Sequence, residues 1–152
     1  MPFFFIRKRV HWSDSDPAGV VWFPNFFGWF EDAEEQLYAA LGTPRQALMN
    51  QLGFGMPRVE AEIRYASPAR PGETVRIGLD TVIVNPRRMK STFDVRDDET
   101  GRLLAYGSIR IACVDTQTFT PRDFPEQVVT TIKALPDLIA QQAQGKVEIP
   151  WT

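Results

Sequence analysis

The sequence is poor in the residues that most often build disulfides and metal sites. It contains one cysteine and one histidine in 152 residues. A single cysteine excludes an intrachain disulfide, and Cys113 stands in an apolar run where we expect a buried, unreactive thiol. A single histidine excludes a site built from several His and Cys ligands, so we predict no metal. For His11 we favour a structural role over an accessory role beside Asp14 and Asp16.

A strong net charge and long apolar runs are also missing. The formal net charge is −2, which gives no electrostatic reason to expect nucleic acid or an anionic membrane as a partner. The apolar residues 3–6 are followed at once by basic residues, and no run has the length of an export signal or a membrane span. The sequence also has neither a G-x-S-x-G elbow nor a glycine-rich phosphate loop. We predict a cytoplasmic protein without a nucleic-acid or membrane partner.

What is present is the pattern of one globular domain spanning residues 1–152, with 43% hydrophobic and 24% charged residues. Apolar and polar residues alternate in five segments, which predicts strands over residues 3–12, 58–69, 74–84, 88–96 and 102–115. Within 58–69 the alternation predicts a half-buried strand whose buried face carries Val59, Ala61, Ile63 and Tyr65. Helical spacing predicts short helices over 45–51 and 125–138, the second ended or kinked by Pro136. We expect the C-terminal tail, about residues 139–152, to be mobile.

Residues 14–42 read DSDPAGVVWFPNFFGWFEDAEEQLYAALG and organise the chain. A carboxylate-rich turn leads into a long helix that starts near Pro24 or Asn25 and ends before Gly42. The aromatic side chains near its start cannot share one stripe at 3.6 residues per turn, which predicts a buried helix. Because the other elements are mostly strands, we expect an antiparallel sheet wrapped round this helix, an α+β arrangement.

The same stretch resembles the signature of the 4-hydroxybenzoyl-CoA thioesterase family, within the hotdog-fold acyl-CoA thioesterases. The matching residues are Asp14, Asp16, Pro17, Ala18, Gly19, Val21, Trp22, Pro24 and Asn25. The resemblance implies a hotdog fold with a five-stranded antiparallel sheet around the central helix and an extra C-terminal helix. It also implies a homodimer or homotetramer whose active site lies between subunits.

Asp16 is the candidate catalytic residue. A carboxylate ahead of a helix N-terminus lies near N–H groups that stabilise negative charge, as a thioester carbonyl under attack requires. Asp16 could attack the carbonyl or activate water, although such a turn is often only an Asx turn. The resemblance implies that Asp16 is catalytic, that the Phe23 backbone N–H binds the carbonyl oxygen and that Gly19 permits close approach. The family often has Tyr where this chain has Phe23. We expect Asp14 to shape the turn.

Glu31 and Trp22 are candidates for the acyl end of the site. The resemblance places an acidic residue at Glu31 facing an aromatic acyl group, whereas the local pattern fits a solvent-facing member of an acidic cluster equally well. Trp22 is one of several aromatic residues, mostly expected in the core or dimer packing, that could line an aryl-sized slot. Arg88, Lys90 and Arg110 correspond to family positions that hold coenzyme A phosphates, although a charged loop is the simpler interpretation of such a run.

The resemblance implies hydrolysis of an aromatic acyl-CoA, of benzoyl or hydroxybenzoyl type, to free acid and coenzyme A. Coenzyme A is then part of the substrate, and no cofactor is expected. Two alternatives stay open: a thioesterase for acyl carrier protein or aliphatic acyl-CoA substrates, and a non-catalytic acyl-CoA-binding protein. The sequence distinguishes neither the acyl group nor nucleophile from base for Asp16.

Overall fold

A five-stranded antiparallel sheet forms the main layer of the computed structural model, which describes residues 3–152. The strands are β1 Phe4–Arg9, β2 Phe54–Gly55, β3 Arg58–Tyr65, β4 Thr74–Asn85, β5 Arg88–Asp97, β6 Leu103–Ala112 and β7 Val114–Asp115. In the five-stranded sheet they lie in the order β1-β4-β5-β6-β3, and β2 and β7 form a separate pair. The helices are α1 Asn25–Ala40, α2 Arg45–Leu52, α3 Glu126–Lys133 and α4 Leu135–Ala143.

The core lies between α1 and the inner face of the sheet. Alternate residues of β4 and β5 point inward and are buried, and the buried face of α1 carries Phe26, Trp29, Phe30, Ala33 and Leu37. The rings of Phe30 and Phe93 pack with centroids 5.2 Å apart. This is the hotdog arrangement, and the predicted fold class, including a helix at the C-terminal end, is confirmed.

Local sequence signals set the ends of α1. Pro24 precedes the first helical residue, Asn25, and Gly42 follows the last turn with a φ of +79°, which residues with a Cβ rarely adopt. Gly28 and Glu35 are exposed, so the helix is buried on one face only and not all round. The aromatic residues of α1 all lie on the core side, since Phe26, Trp29 and Phe30 are buried and Phe27 is partly buried against the same core.

Strand β3 differs from its expected half-buried state. It ends at Tyr65 rather than residue 69, and Val59, Ala61 and Tyr65, predicted to form its buried face, are exposed. The physical reason is position, because β3 is an edge strand that, among residues 3–152, pairs only with β6. Its apolar alternation therefore needs another partner.

The C-terminal region also differs in detail. The single helix expected over 125–138 is two helices, with Pro136 in the first turn of α4. Helix α4 continues to Ala143, so the segment where we expected a mobile tail begins as a helix, and the mobility of 139–152 stays a prediction. Among the helices of residues 3–152, none is both long and apolar enough to cross a membrane.

Candidate active site

Asp14 holds together the turn that precedes α1. Its side chain accepts a hydrogen bond from the His11 N–H at 2.8 Å. Its carbonyl oxygen accepts from the Trp22 N–H at 2.9 Å and from Asn25 Nδ2 at 2.8 Å. A bridge between Ser15 and Val21 continues this pairing, so the segment folds back on itself with Asp16 near the tip. This geometry supports a structural role for Asp14.

One carboxylate oxygen of Asp16 accepts a hydrogen bond within the turn, and the other has no donor among residues 3–152. Oδ1 accepts from the Ala18 N–H at 2.8 Å, which is the Asx turn considered above. No donor within residues 3–152 hydrogen-bonds Oδ2. The side chain borders an open depression of about 610 Å³ that is also lined by Trp12 and Pro71. The turn therefore fixes the carboxylate and places Asp16, with one oxygen unengaged among residues 3–152, at the border of this depression.

Gly19 shapes the same turn. Its φ is +79°, and its N–H donates to the Asp16 carbonyl oxygen at 2.9 Å. A Cβ added at Gly19 would meet no atom within 4 Å, so backbone conformation and not crowding within the chain explains the glycine. Its expected part in close approach to substrate stays a prediction.

At Phe23 the backbone carbonyl accepts a hydrogen bond, whereas the backbone N–H has no acceptor among residues 3–152. No oxygen within residues 3–152 accepts from the Phe23 N–H, whereas its carbonyl accepts from the Tyr65 hydroxyl at 2.9 Å. The Phe23 ring is 62% exposed and makes edge contacts with Trp22 and Tyr65, each at 6.2 Å between centroids. We call Trp22, Phe23 and Tyr65 the aromatic patch. It joins the start of α1 to the exposed end of β3.

Glu31 is neither a free solvent-facing carboxylate nor an isolated ligand group. It accepts hydrogen bonds from Arg58 Nη2 at 3.0 Å and Arg45 Nη2 at 3.1 Å. The same two guanidinium groups bind Glu34, which is buried, and Arg45 also binds Glu35. We call these five residues the Glu31 cluster. It ties α1 to α2 and to the start of β3.

The cluster shifts the pKa values of its two inner carboxyls in opposite directions. Partial burial raises the pKa of Glu31, but the charges and hydrogen bonds of Arg58 and Arg45 outweigh it and leave the pKa below its usual range. Burial raises the pKa of Glu34, against the opposing effect of Arg58 and Arg45. Sequence reasoning missed Arg45 and Arg58. The run of acidic residues on one helix was a signal that counterions were needed, but it could not identify them.

The three basic candidates come together on the outer face of the sheet, away from α1. Lys90 and Arg110 are direct cross-strand partners, and Arg88 lies two residues before Lys90 on the same face. Met89 between them points inward and is fully buried. Arg110 Nε lies 3.5 Å from Glu60 Oε2, and Arg88 donates only to the Arg87 carbonyl among residues 3–152. We call Arg88, Lys90 and Arg110 the basic group.

The basic group and the Asp16 turn lie at opposite ends of β4. The Asp16 turn contacts the segment just before Thr74, since the Val21 N–H donates to the Ala69 carbonyl at 2.8 Å and Asp16 shares its depression with Pro71. Lys90 pairs with Val82, eight residues further along β4. At a rise of about 3.3 Å per residue, roughly 26 Å of strand separates the two groups. One chain alone therefore does not bring them to one site.

Comparisons with known proteins agree with the fold and the motif. A family model described as the thioesterase-like superfamily matches residues 10–132. The chain is similar to a 1,4-dihydroxy-2-naphthoyl-CoA hydrolase of Thermosynechococcus vestitus, with 26% identity covering 86% of this chain and 89% of the relative. It is 31% identical to a 4-hydroxybenzoyl-CoA thioesterase of Pseudomonas sp. over 55% of this chain and 59% of the relative.

A solved structure has the same fold. The crystal structure of a 1,4-dihydroxy-2-naphthoyl-CoA thioesterase from Synechocystis superposes with a TM-score of 0.82 at 24% identity, covering 88% of this chain and 97% of that one. The family resemblance drawn from residues 14–25 is confirmed. The roles of Asp16, Gly19, Phe23, Trp22, Glu31 and the basic group stay predictions.

Proposed function

The chain belongs to the thioesterase-like superfamily, and from that premise we propose that it hydrolyses an aromatic acyl-CoA thioester to the free acid and coenzyme A. The observation that carries the proposal is the turn before α1. It holds an open carboxylate oxygen on Asp16 and an open N–H on Phe23 within one folded-back segment. Relatives named as aryl-CoA thioesterases support the substrate class.

The proposed chemistry needs one carboxylate and one oxyanion donor. The Phe23 N–H binds the thioester carbonyl oxygen and stabilises the negative charge that develops on it during attack. Asp16 then acts in one of two ways. As a nucleophile it forms a mixed anhydride and releases the coenzyme A thiolate, and water opens the anhydride. As a general base it takes a proton from water, which attacks the carbonyl carbon directly, and the tetrahedral intermediate then breaks its C–S bond and releases the coenzyme A thiolate.

The acyl end of the proposed site is the aromatic patch. Trp22 and Phe23 present exposed rings beside the open Phe23 N–H, and such rings favour edge and offset contacts with an aryl group. Glu31 is held ionised by two guanidinium groups and is 45% exposed, so it can accept a hydrogen bond from a ring hydroxyl while remaining in its cluster.

We further propose that the working unit is at least a dimer. The roughly 26 Å between the Asp16 turn and the basic group supports a site in which one subunit supplies Asp16 and another supplies the basic group for the nucleotide phosphates. The exposed apolar residues of β3 supply a surface for such an association. A cytoplasmic location stays a prediction.

The experiment that tests the function is thiol release from a panel of CoA esters. The panel contains benzoyl, hydroxybenzoyl, phenylacetyl, short aliphatic and long aliphatic esters. We expect preferred turnover of one aryl ester, abolished in Asp16→Asn. Preference for a long aliphatic ester would refute the aromatic assignment. No release from any ester would direct attention to acyl carrier protein substrates or to a binding role, and equilibrium binding of benzoyl-CoA would distinguish these two.

A further inference from the structure

Trp12 lies in the turn before α1, and neither the catalytic proposal nor the aromatic patch uses it. At 86% exposed, it is the most exposed large hydrophobic residue of residues 3–152. Single exposed apolar residues are common on protein surfaces, so exposure alone assigns no role to it. Its position is more informative, because Trp12 lines the same depression of about 610 Å³ as Asp16. A ligand in that depression would contact both residues.

The main chain that carries the Trp12 indole is fixed on both sides. The Trp12 carbonyl accepts hydrogen bonds from the Ser15 N–H at 3.1 Å and from Ser15 Oγ at 2.6 Å. Two residues earlier, Val10 is buried, its N–H donates to the Glu73 carbonyl at 2.9 Å and its carbonyl accepts from the Gly72 N–H at 2.9 Å. A ligand would therefore have to order the side chain of Trp12 but not its backbone, which lowers the entropic cost of binding.

The lining of the depression indicates an uncharged occupant. Besides Trp12 and Asp16, the residues that line it are Ser13, Ser15, Pro17, Gly19 and Pro71. This lining contains one carboxylate and neither lysine nor arginine. A phosphate group placed here would lie beside a like charge without a cation to offset it. The nucleotide end of an acyl-CoA is therefore excluded from the depression.

An acyl-CoA has two uncharged parts, the acyl group and the pantetheine arm, which meet at the thioester. The depression and the aromatic patch share no residue, and the patch is already assigned to the aryl group. The pantetheine arm is thus the part left for the depression. It is a chain of methylene and amide groups, which suits a surface made of an indole, two proline rings and two serine hydroxyls.

We propose that Trp12 binds the pantetheine arm of the substrate and holds it across the depression, with the thioester sulfur beside Asp16. The inference rests on the proposed function, because the assignment of the aryl group to the aromatic patch leaves the arm for Trp12. It adds a binding contribution that is separate from the phosphate contacts of the basic group.

The test measures equilibrium binding by calorimetry, which does not depend on turnover. The probes are coenzyme A, pantetheine, adenosine 3′,5′-bisphosphate, which has the nucleotide without the arm, and benzoate, which has the acyl part alone. Trp12→Ala should weaken the binding of coenzyme A and pantetheine about tenfold and leave the binding of the other two probes unchanged. Trp12→Phe keeps an aromatic ring and should retain most of the affinity. Trp151→Ala removes an exposed tryptophan outside the depression and is the matched control.

Several outcomes would overturn the assignment of Trp12. They are a wild type that binds neither coenzyme A nor pantetheine, a Trp12→Ala variant whose coenzyme A affinity is unchanged, and weaker binding of benzoate or of the nucleotide instead. A change in assembly mass by light scattering in Trp12→Ala would identify the indole as a subunit contact and also overturn it.

The same measurements separate this inference from the proposed function. If Trp12→Ala loses affinity for coenzyme A and pantetheine while the wild type hydrolyses no CoA ester, the arm site stands and the thioesterase proposal fails. If the wild type hydrolyses an aryl ester and Trp12→Ala binds all four probes normally, the thioesterase proposal stands and the arm site fails.

Discussion

The Glu31 cluster and the Asp16 turn are both rich in carboxylates. Only in the Glu31 cluster is every carboxylate bound by a cation of the same chain. In the Glu31 cluster, each carboxylate is bound to at least one guanidinium group from α2 or β3. In the Asp16 turn, one carboxylate oxygen and the Phe23 N–H remain open. Completed polar groups hold elements together, and open groups near a depression are available to a ligand.

The largest expected effect is on turnover at Asp16. Asp16→Asn retains the oxygen that accepts from the Ala18 N–H but removes the charge, so the fold should persist while kcat falls by about 1,000-fold. The measurement is steady-state thiol release from the preferred ester, with thermal unfolding to check the fold. Asp14→Asn is the matched control and should retain most activity. Near-normal turnover in Asp16→Asn would contradict the assignment.

Substitution of a buried member of the Glu31 cluster should lower the free energy of unfolding. Glu34→Gln leaves two partly buried guanidinium groups without their central carboxylate, and breaking a buried ion pair costs about 3 kcal/mol or more. Urea denaturation measures the free energy of unfolding of each variant. Glu35→Gln is the control on the same helix, since the Glu35 side chain is 54% exposed against 2% for Glu34, and an exposed pair is worth about 1 kcal/mol or less. Equal losses in the two variants would refute the distinction between buried and exposed members.

Like the Asp16 turn, the basic group is available to a ligand, and removing its side chains should affect the binding of the substrate. Arg88→Ala and Arg110→Ala should each raise KM for CoA esters about tenfold with a smaller change in kcat, because phosphate contacts act on ground state and transition state alike. Arg64→Ala, an exposed arginine on the same sheet face, is the control. A thioester that lacks the nucleotide should show no change. If the KM of that thioester rises as much as the KM of the CoA ester, the phosphate assignment is wrong.

The smallest effect concerns acid stability. The pKa of Glu31 is lowered in the folded state, so the stability that it contributes is present above its ordinary pKa of about 4.3 and is lost as pH falls through the folded value. Glu31→Gln should therefore reduce the melting temperature slightly at pH 7, and the difference from wild type should shrink as the pH falls below the ordinary pKa of about 4.3. A difference for Glu31→Gln that grows as pH falls would contradict this account.

Much of the architecture was predictable because it depends on neighbours in sequence. The start of α1 after Pro24, its end before Gly42 and the alternation in β4 and β5 are local signals, and the structure has all of them. The family motif also lies in one continuous stretch. The Asx turn at Asp16 could be anticipated for the same reason, since it closes within two residues.

The contacts that complete or expose polar groups were not predictable in this way. Arg58 binds Glu31 across 27 positions and Gln142 binds Phe5 across 137, and no local pattern relates such residues. The exposure of β3 depends on its place at the sheet edge, because the same alternation in β4 lies against α1 and is buried.

The sequence by itself determined the motif, the boundaries of α1, the strand alternation and hence the fold, because each follows from short-range backbone and side-chain preferences. Only the tertiary structure decided which carboxylates are paired, which sheet edge is covered and how far the basic group lies from Asp16. Those outcomes depend on which distant segments meet when the sheet wraps α1. The same wrapping separates the basic group from Asp16, and among residues 3–152 it leaves the outer edge of β3 without a partner strand.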